Sequence, residues 1–159
     1  MTEDARFEDG GERPLRLKAE DADDLGVLAA LVQDAVFPVT EMAWRPSERR
    51  FALLINRFRW EDKALAEQRG RPVERVQSLL AIDDVQAVRS QGVDRSDKGV
   101  VLALLTVTFV PGDDGTGRIE LTLAGDGAIA LNVETVNVTL QDVTRPYIAP
   151  SRKAPSHPE

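Results

Sequence analysis

An α+β fold is predicted for this chain: an N-terminal amphipathic helix packed on a bent antiparallel meander of about six to eight strands, which could close into a small barrel. Three observations carry the prediction. The segment EDADDLGVLAALVQDAV repeats its apolar residues at helical spacing, later segments alternate apolar with polar residues, and clusters of Gly, Asp and Pro punctuate them.

Residues 1–13 are rich in Glu, Asp and Gly with little to bury, and read as a disordered acidic lead-in. Residues 14–18 alternate and can form a first strand. In the helical segment Asp21 is the N-cap candidate, and Asp23 and Asp24 place negative charge in the first turn, where the helix dipole favours it. Leu25, Leu28, Val32 and Ala35 supply the apolar stripe, so a helix is predicted over about residues 22–35. The acidic cluster is thereby explained without a metal site.

Pro38 returns the chain to an extended path, Thr40, Met42 and Trp44 alternate, and Arg45-Pro46-Ser47-Glu48 turns it into RRFALLINRFRW, residues 49–60. Within that stretch Phe51, Leu53 and Ile55 share one face and Ala52, Leu54 and Phe58 the other. Apolar residues on both faces predict a central strand covered on both sides. Arg57 and Arg59 continue the Phe51 face, so the strand is expected to leave the core near Ile55.

The polar residues 61–72 can hold a short helix or a mobile loop. Val76, Ser78, Leu80 and Ile82 then alternate, and Asp83-Asp84 predicts a turn that returns the chain through residues 85–88 as the next strand of a meander. The run VVLALLTVTFV, residues 100–110, predicts a second buried strand. Beyond the PGDDGTG turn, Ile119, Leu121 and Leu123 face one way, and Gly125-Asp126-Gly127 makes a tight hairpin to Ile129, Leu131 and Val133. Val136, Val138 and Leu140 resume the alternation one register out, which predicts a bulge near Glu134 and Thr135 or a crossing between sheets. A single domain is expected over residues 14–144. Residues 145–159, with four prolines in fifteen, read as a disordered tail.

Composition narrows the chemistry. With no cysteine, disulfides, thiolate zinc sites and a thiol nucleophile are excluded, and the one histidine, His157, lies in the tail. Asp83-Asp84 and Asp113-Asp114-Gly115 fit turns, and the loop from Gly112 to Gly117 lacks the Lys-Ser or Lys-Thr of a phosphate-binding loop. No catalytic residue, cofactor or metal is predicted. No apolar run approaches the roughly 20 residues of a spanning helix, and the N-terminus lacks the apolar core of a signal peptide, so a cytoplasmic protein away from membranes is expected.

The net charge of −7 disfavours nucleic acid as a partner. Yet residues 45–75 hold nine Arg or Lys against five Asp or Glu, a local +4 that leaves −11 elsewhere. The island can neutralise the chain's own acids, with arginine stems over the core rim and heads in water. Alternatively it presents Trp44, Arg49, Arg50, Arg57, Arg59 and Trp60 to a partner, an anion or an unpaired base.

The stretches LVQDAVFPVTEMAW, RRFALLINRFRWE, ERVQSLLAIDDVQAVRSQGVDR and GDGAIALNVE resemble a family of small alphaproteobacterial proteins known as domain of unknown function number twenty-nine forty-eight. The resemblance covers residues 15–142 and implies a bacterial cytoplasmic protein, with no activity or site residues to carry over. The function expected from the residues is a non-enzymatic binding or adaptor domain that contacts a protein partner, or itself as a homodimer, through the hairpin from Met42 to Trp60. The alternatives are a site for a small anionic metabolite, enzymatic or not, clamped by Arg49, Arg57 or Arg59, and, third, single-stranded RNA binding.

Overall fold

The computed structural model describes residues 14–148, so the expected lead-in at 1–13 and the tail beyond Ile148 lie outside the described residues. Eleven strands form one antiparallel sheet: β1 (Arg16–Ala19), β2 (Ala35–Pro38), β3 (Met42–Arg45), β4 (Arg50–Phe58), β5 (Glu74–Ile82), β6 (Val85–Gln91), β7 (Val101–Pro111), β8 (Gly117–Leu123), β9 (Ala128–Val133), β10 (Val138–Asp142) and β11 (Tyr147–Ile148). Among the described residues two short α-helices accompany them, α1 (Ala22–Leu31) and α2 (Lys63–Gln68). The spatial order is β1-β10-β5-β4-β2-β7-β8-β9-β6, with β3 added on β4 and β11 on β5.

This corrects the expected architecture of one helix on six to eight strands. The sheet has eleven strands and does not close, because β1 and β6 end the order and do not pair with each other. Nor is it a simple meander. β5 and β6 are joined by Asp83-Asp84 but do not pair; β5 lies between β4 and β10, whereas β6 pairs with β9. The chain crosses at that point to the far half of the sheet and crosses back between β9 and β10. Both crossings meet, with Asp83 N donating to Asn137 O at 2.9 Å and Glu134 N to Asp84 O at 3.0 Å. Left-handed backbone at Asp84 (φ 59°) lets two residues reverse the chain without a ladder beside it. The shifted alternation at Val136 is therefore the crossing, not a bulge within one strand.

β2 joins the halves, pairing along its length with β7 and at Val36 with Asn56 of β4. One core lies inside the fold, built from alternate residues of both halves: Phe51, Leu53 and Ile55 of β4, Leu80 and Ile82 of β5, Ile119 and Leu121 of β8, Leu131 of β9. α1 adds Leu25 and Leu28 to it and lies against β7 and β1. Its N-cap is Asp21, whose carboxylate accepts from Asp24 N at 2.8 Å. The helix ends at Leu31, short of residue 35, because Ala35 is already paired with Leu104 of β7.

Two strands differ from expectation in burial. β4 does not leave the core near Ile55; Arg57 continues the inward face and is 0% exposed. β7, expected to be buried throughout, buries Leu104 and Val107 but leaves Val101, Leu105 and Val110 exposed. Tyr147 and Ile148, within the expected tail, pair with Arg75 and Glu74. No helix among the described residues is long and apolar enough to cross a membrane.

Gly117 opens β8 beneath the Phe109 ring, and a Cβ there would lie 2.5 Å from the Val110 carbonyl oxygen and 2.5 Å from Phe109 Cε1. Backbone cannot retreat as a flexible side chain can. Gly117→Ala is expected to destabilise the fold by about 1–3 kcal/mol in urea denaturation; an unchanged midpoint would show that the β7–β8 end is looser than this packing implies.

Candidate functional site

Three charged groupings surround the candidate residues, and each is paired within the chain. The first is built at the C-terminal end of β4. Strand alternation carries Arg57 inward after Ile55, into a place where an aliphatic residue would continue the core. All five of its N–H groups find acceptors. Nε donates to Ser78 Oγ at 3.0 Å and Asp142 Oδ1 at 3.3 Å, Nη1 to the Phe58 carbonyl at 3.1 Å and Glu61 Oε1 at 2.8 Å, and Nη2 to Glu61 Oε2 at 2.8 Å and Asp142 Oδ1 at 3.0 Å. Burial pulls the Arg57 pKa down, but Glu61 and Asp142 outweigh it and hold the group above the ordinary arginine value. Asp142 also accepts from Ser78 Oγ at 2.6 Å and from Leu15 N at 2.9 Å.

Beside it Arg59, Asp62, Arg71 and Glu74 close a ring. Arg59 Nη1 lies 2.7 Å from Glu74 Oε1 and 3.4 Å from Asp62 Oδ2; Arg71 Nη2 lies 2.6 Å from Asp62 Oδ2 and Nη1 lies 3.5 Å from Glu74 Oε1. The ring fastens α2 and its flanks to the ends of β4 and β5. Trp60 joins the same end, its Nε1 donating to Gln33 O at 2.9 Å, its ring 5.3 Å from Phe58 and 5.6 Å from Lys63 Nζ.

At the other end of β4, Arg49 holds Glu134 and Arg50 holds Asp83, the latter with Nε at 2.8 Å. Hydrogen bonds from Arg49 and then Gln86 draw the Glu134 pKa below the ordinary carboxylate range, so this pairing persists above that range and is lost only as pH falls through the lowered value. Trp44 is on the inward face, opposite Phe51, and packs on the core. The six candidate residues therefore do not converge: Arg50 and Arg57 stand seven residues apart on one strand, about 23 Å. Trp44, Arg49 and Arg50 gather at one end, and Arg57, Arg59 and Trp60 at the other.

Between the two ends runs a feature that the sequence reading did not single out. On the outward face, register places Ala43, Ala52 and Ala81 side by side across β3, β4 and β5, with Leu54 beside Leu79 in the next row. Small side chains next to large ones make a groove of about 320 Å³, with Glu41, Arg45, Glu48 and Arg50 on its rim. A second groove of about 290 Å³ shares Leu54 and Glu41 and continues past Val36 to Asn56, Gln77 and Val101. The sequence signal for it is the second apolar parity of RRFALLINRF, which predicts a covered face; in the structure that face lines a surface groove.

The family described as protein of unknown function (DUF2948) matches residues 15–157. The chain belongs to this family. Comparison with curated proteins and with solved structures finds no match.

Removing the Arg57 charge by Arg57→Met strands Asp142 inside the protein and is expected to cost about 3–5 kcal/mol in chemical denaturation. Adding Asp142→Asn should recover most of that loss. Equal midpoints for the single and double variants would mean that shape, rather than charge, governs this site.

Proposed function

We propose that this chain is a non-enzymatic cytoplasmic binding module, and that the outer face of β3, β4 and β5 docks a second copy of the chain. The observation that carries the reading is the apolar floor of Ala43, Ala52, Leu54 and Leu79, which lies in a surface groove rather than under another element of the described chain. An apolar centre inside a charged rim is the arrangement that protein–protein contacts share.

The rim favours a second copy over an unlike partner. It carries two acids, Glu41 and Glu48, and two bases, Arg45 and Arg50, so it is neutral on a chain of net charge −7. Two such chains repel each other over most of their surface and least here. In a two-fold arrangement each arginine of one copy can meet an acid of the other, which is the self-complementarity that an isologous contact needs. Among the described residues Arg45 pairs with Glu48 at 3.4 Å, an exposed pair that exchanges partners at little cost.

Analytical ultracentrifugation tests this. The expected result is a concentration-dependent dimer that Leu54→Glu converts to a monomer without lowering the melting temperature. A chain that stays monomeric up to its solubility limit, or a Leu54→Glu variant that still dimerises, overturns the reading. Capture of an unrelated protein through the same face by a monomeric chain would assign the face to a heterologous partner instead.

A further inference from the structure

Arg57, Arg59 and Arg71 each hold a carboxylate at their end of the sheet; their neighbour Arg75 does not. Among the described residues no acidic side chain pairs with Arg75, whose guanidinium carbon sits 4.3 Å from the centre of the Phe58 ring. Stacking on an aromatic face stabilises a guanidinium but satisfies none of its N–H groups. Burial draws its pKa below the ordinary arginine value, with the nearby Tyr147 hydroxyl acting weakly in the opposite direction.

Two buried side-chain polar atoms among the described residues lack a hydrogen-bond partner, Arg75 Nε and Asn56 Oδ1. Register brings them to one place. Phe58 stands opposite Arg75 and Asn56 opposite Gln77 across β4 and β5, on the outward face, and Tyr147 of β11 stands opposite Arg75 on its other side. Tyr147 reaches across to bond the Asn56 Nδ2, so one end of that amide is satisfied and the other is not. An orphaned donor and an orphaned acceptor thus lie under one tyrosine. Buried polar atoms are costly unless paired, and two of opposite sense in one spot describe the outline of a missing group.

We propose that Arg75, Asn56 and Tyr147 form a binding site for a small oxyanion that carries a hydrogen-bond donor beside its charge. The anion lies on the Arg75 guanidinium, and its N–H or O–H donates to the Asn56 carbonyl oxygen. A carboxylate next to an amide N–H and a hydrogen phosphate both have this chemistry. Entry is from the C-terminal side, where Tyr147 and Ile148 roof the pair as a strand of only two residues and are 38% and 45% exposed. Tyr147 swings aside to admit the ligand, one of whose anionic oxygens then accepts from Asn56 Nδ2 in place of the tyrosine hydroxyl. The site differs from the clamp expected of Arg49, Arg57 or Arg59, whose guanidiniums already hold the chain's own carboxylates. It does not depend on self-association.

The experiment is nitrogen-15 correlation spectroscopy of the full chain, following the arginine Nε–H signals at constant ionic strength during titration with N-acetylglycine, inorganic phosphate and, as control, chloride. Saturable movement of the Arg75 signal is expected at about millimolar ligand for one of the two oxyanions, a range set by one charge-assisted pair. The oxyanion that saturates at lower concentration names the ligand class. Arg75→Met should abolish the accompanying movement of the Asn56 side-chain amide signal without lowering the melting temperature in anion-free buffer, because it removes a charge that pairs with no acid among the described residues. An Arg75 signal moved by neither oxyanion, or equally by chloride, overturns the proposal. So does Arg75→Met that melts earlier in a protein with no ligand response, since Arg75 would then serve only to pack on Phe58.

Discussion

A fully buried guanidinium is the constraint around which this sheet is assembled. Taking an arginine out of water costs several kcal/mol unless its charge and each of its donors are met. Arg57 recruits them from four places: Asp142 at the end of β10, Ser78 in β5, Glu61 in the turn after β4, and the carbonyl of Phe58. Each partner has to be in register for the charge to be tolerated. Asp142 then passes the constraint outward by binding the amide of Leu15, so the entry to β1 is fixed by a residue 127 positions later. The network specifies the alignment of β1, β10, β5 and β4 more sharply than apolar packing alone would, because a slipped register would leave charges unpaired rather than side chains loosely packed.

Against that background the neighbouring surfaces divide into satisfied and unsatisfied ones. The ring of Arg59, Asp62, Arg71 and Glu74 and the pairs at Arg49 and Arg50 are closed within the chain. They account for the basic island as a set of intramolecular fastenings, which is how most of its charge is used. What is left open is the apolar groove along Leu54 and Leu79 and the isolated cation at Arg75. The two lie on the same outward face, at the back of the sheet rather than among the paired charges at its ends.

Local signals were legible in the sequence and pairing was not. Asp21 announces its helix because a cap and its first turn are set by neighbours in the chain, and Gly125 and Asp126, both at positive φ, announce their hairpin for the same reason. Asp83-Asp84 was misleading, since a two-residue reversal looks the same whether the strands beside it pair or part. The difference lies in Asn137 and Glu134, some fifty residues on. Parity puts Arg57 on the Phe51 face, yet its charge argues for an exit from the core near Ile55; the acids that make its burial tolerable sit at Glu61 and Asp142, and only the first is close in sequence. Arg75 shares parity with Gln77 and Leu79, which marks it as outward. Nothing in the sequence marks it as lacking the carboxylate that Arg57, Arg59 and Arg71 each hold.

The pairing of β1 with β10 also dictates when this chain can become a protein. Its first strand stays unmatched until nearly the last has been synthesised, and β5 must wait for the same partner while β6 waits for β9. Contacts so distant along the chain carry a high loop-closure cost and fold slowly. The edges of β1 and β5 are therefore closed only once residues 138–142 are in place, the stretch that also brings Asp142 to Arg57.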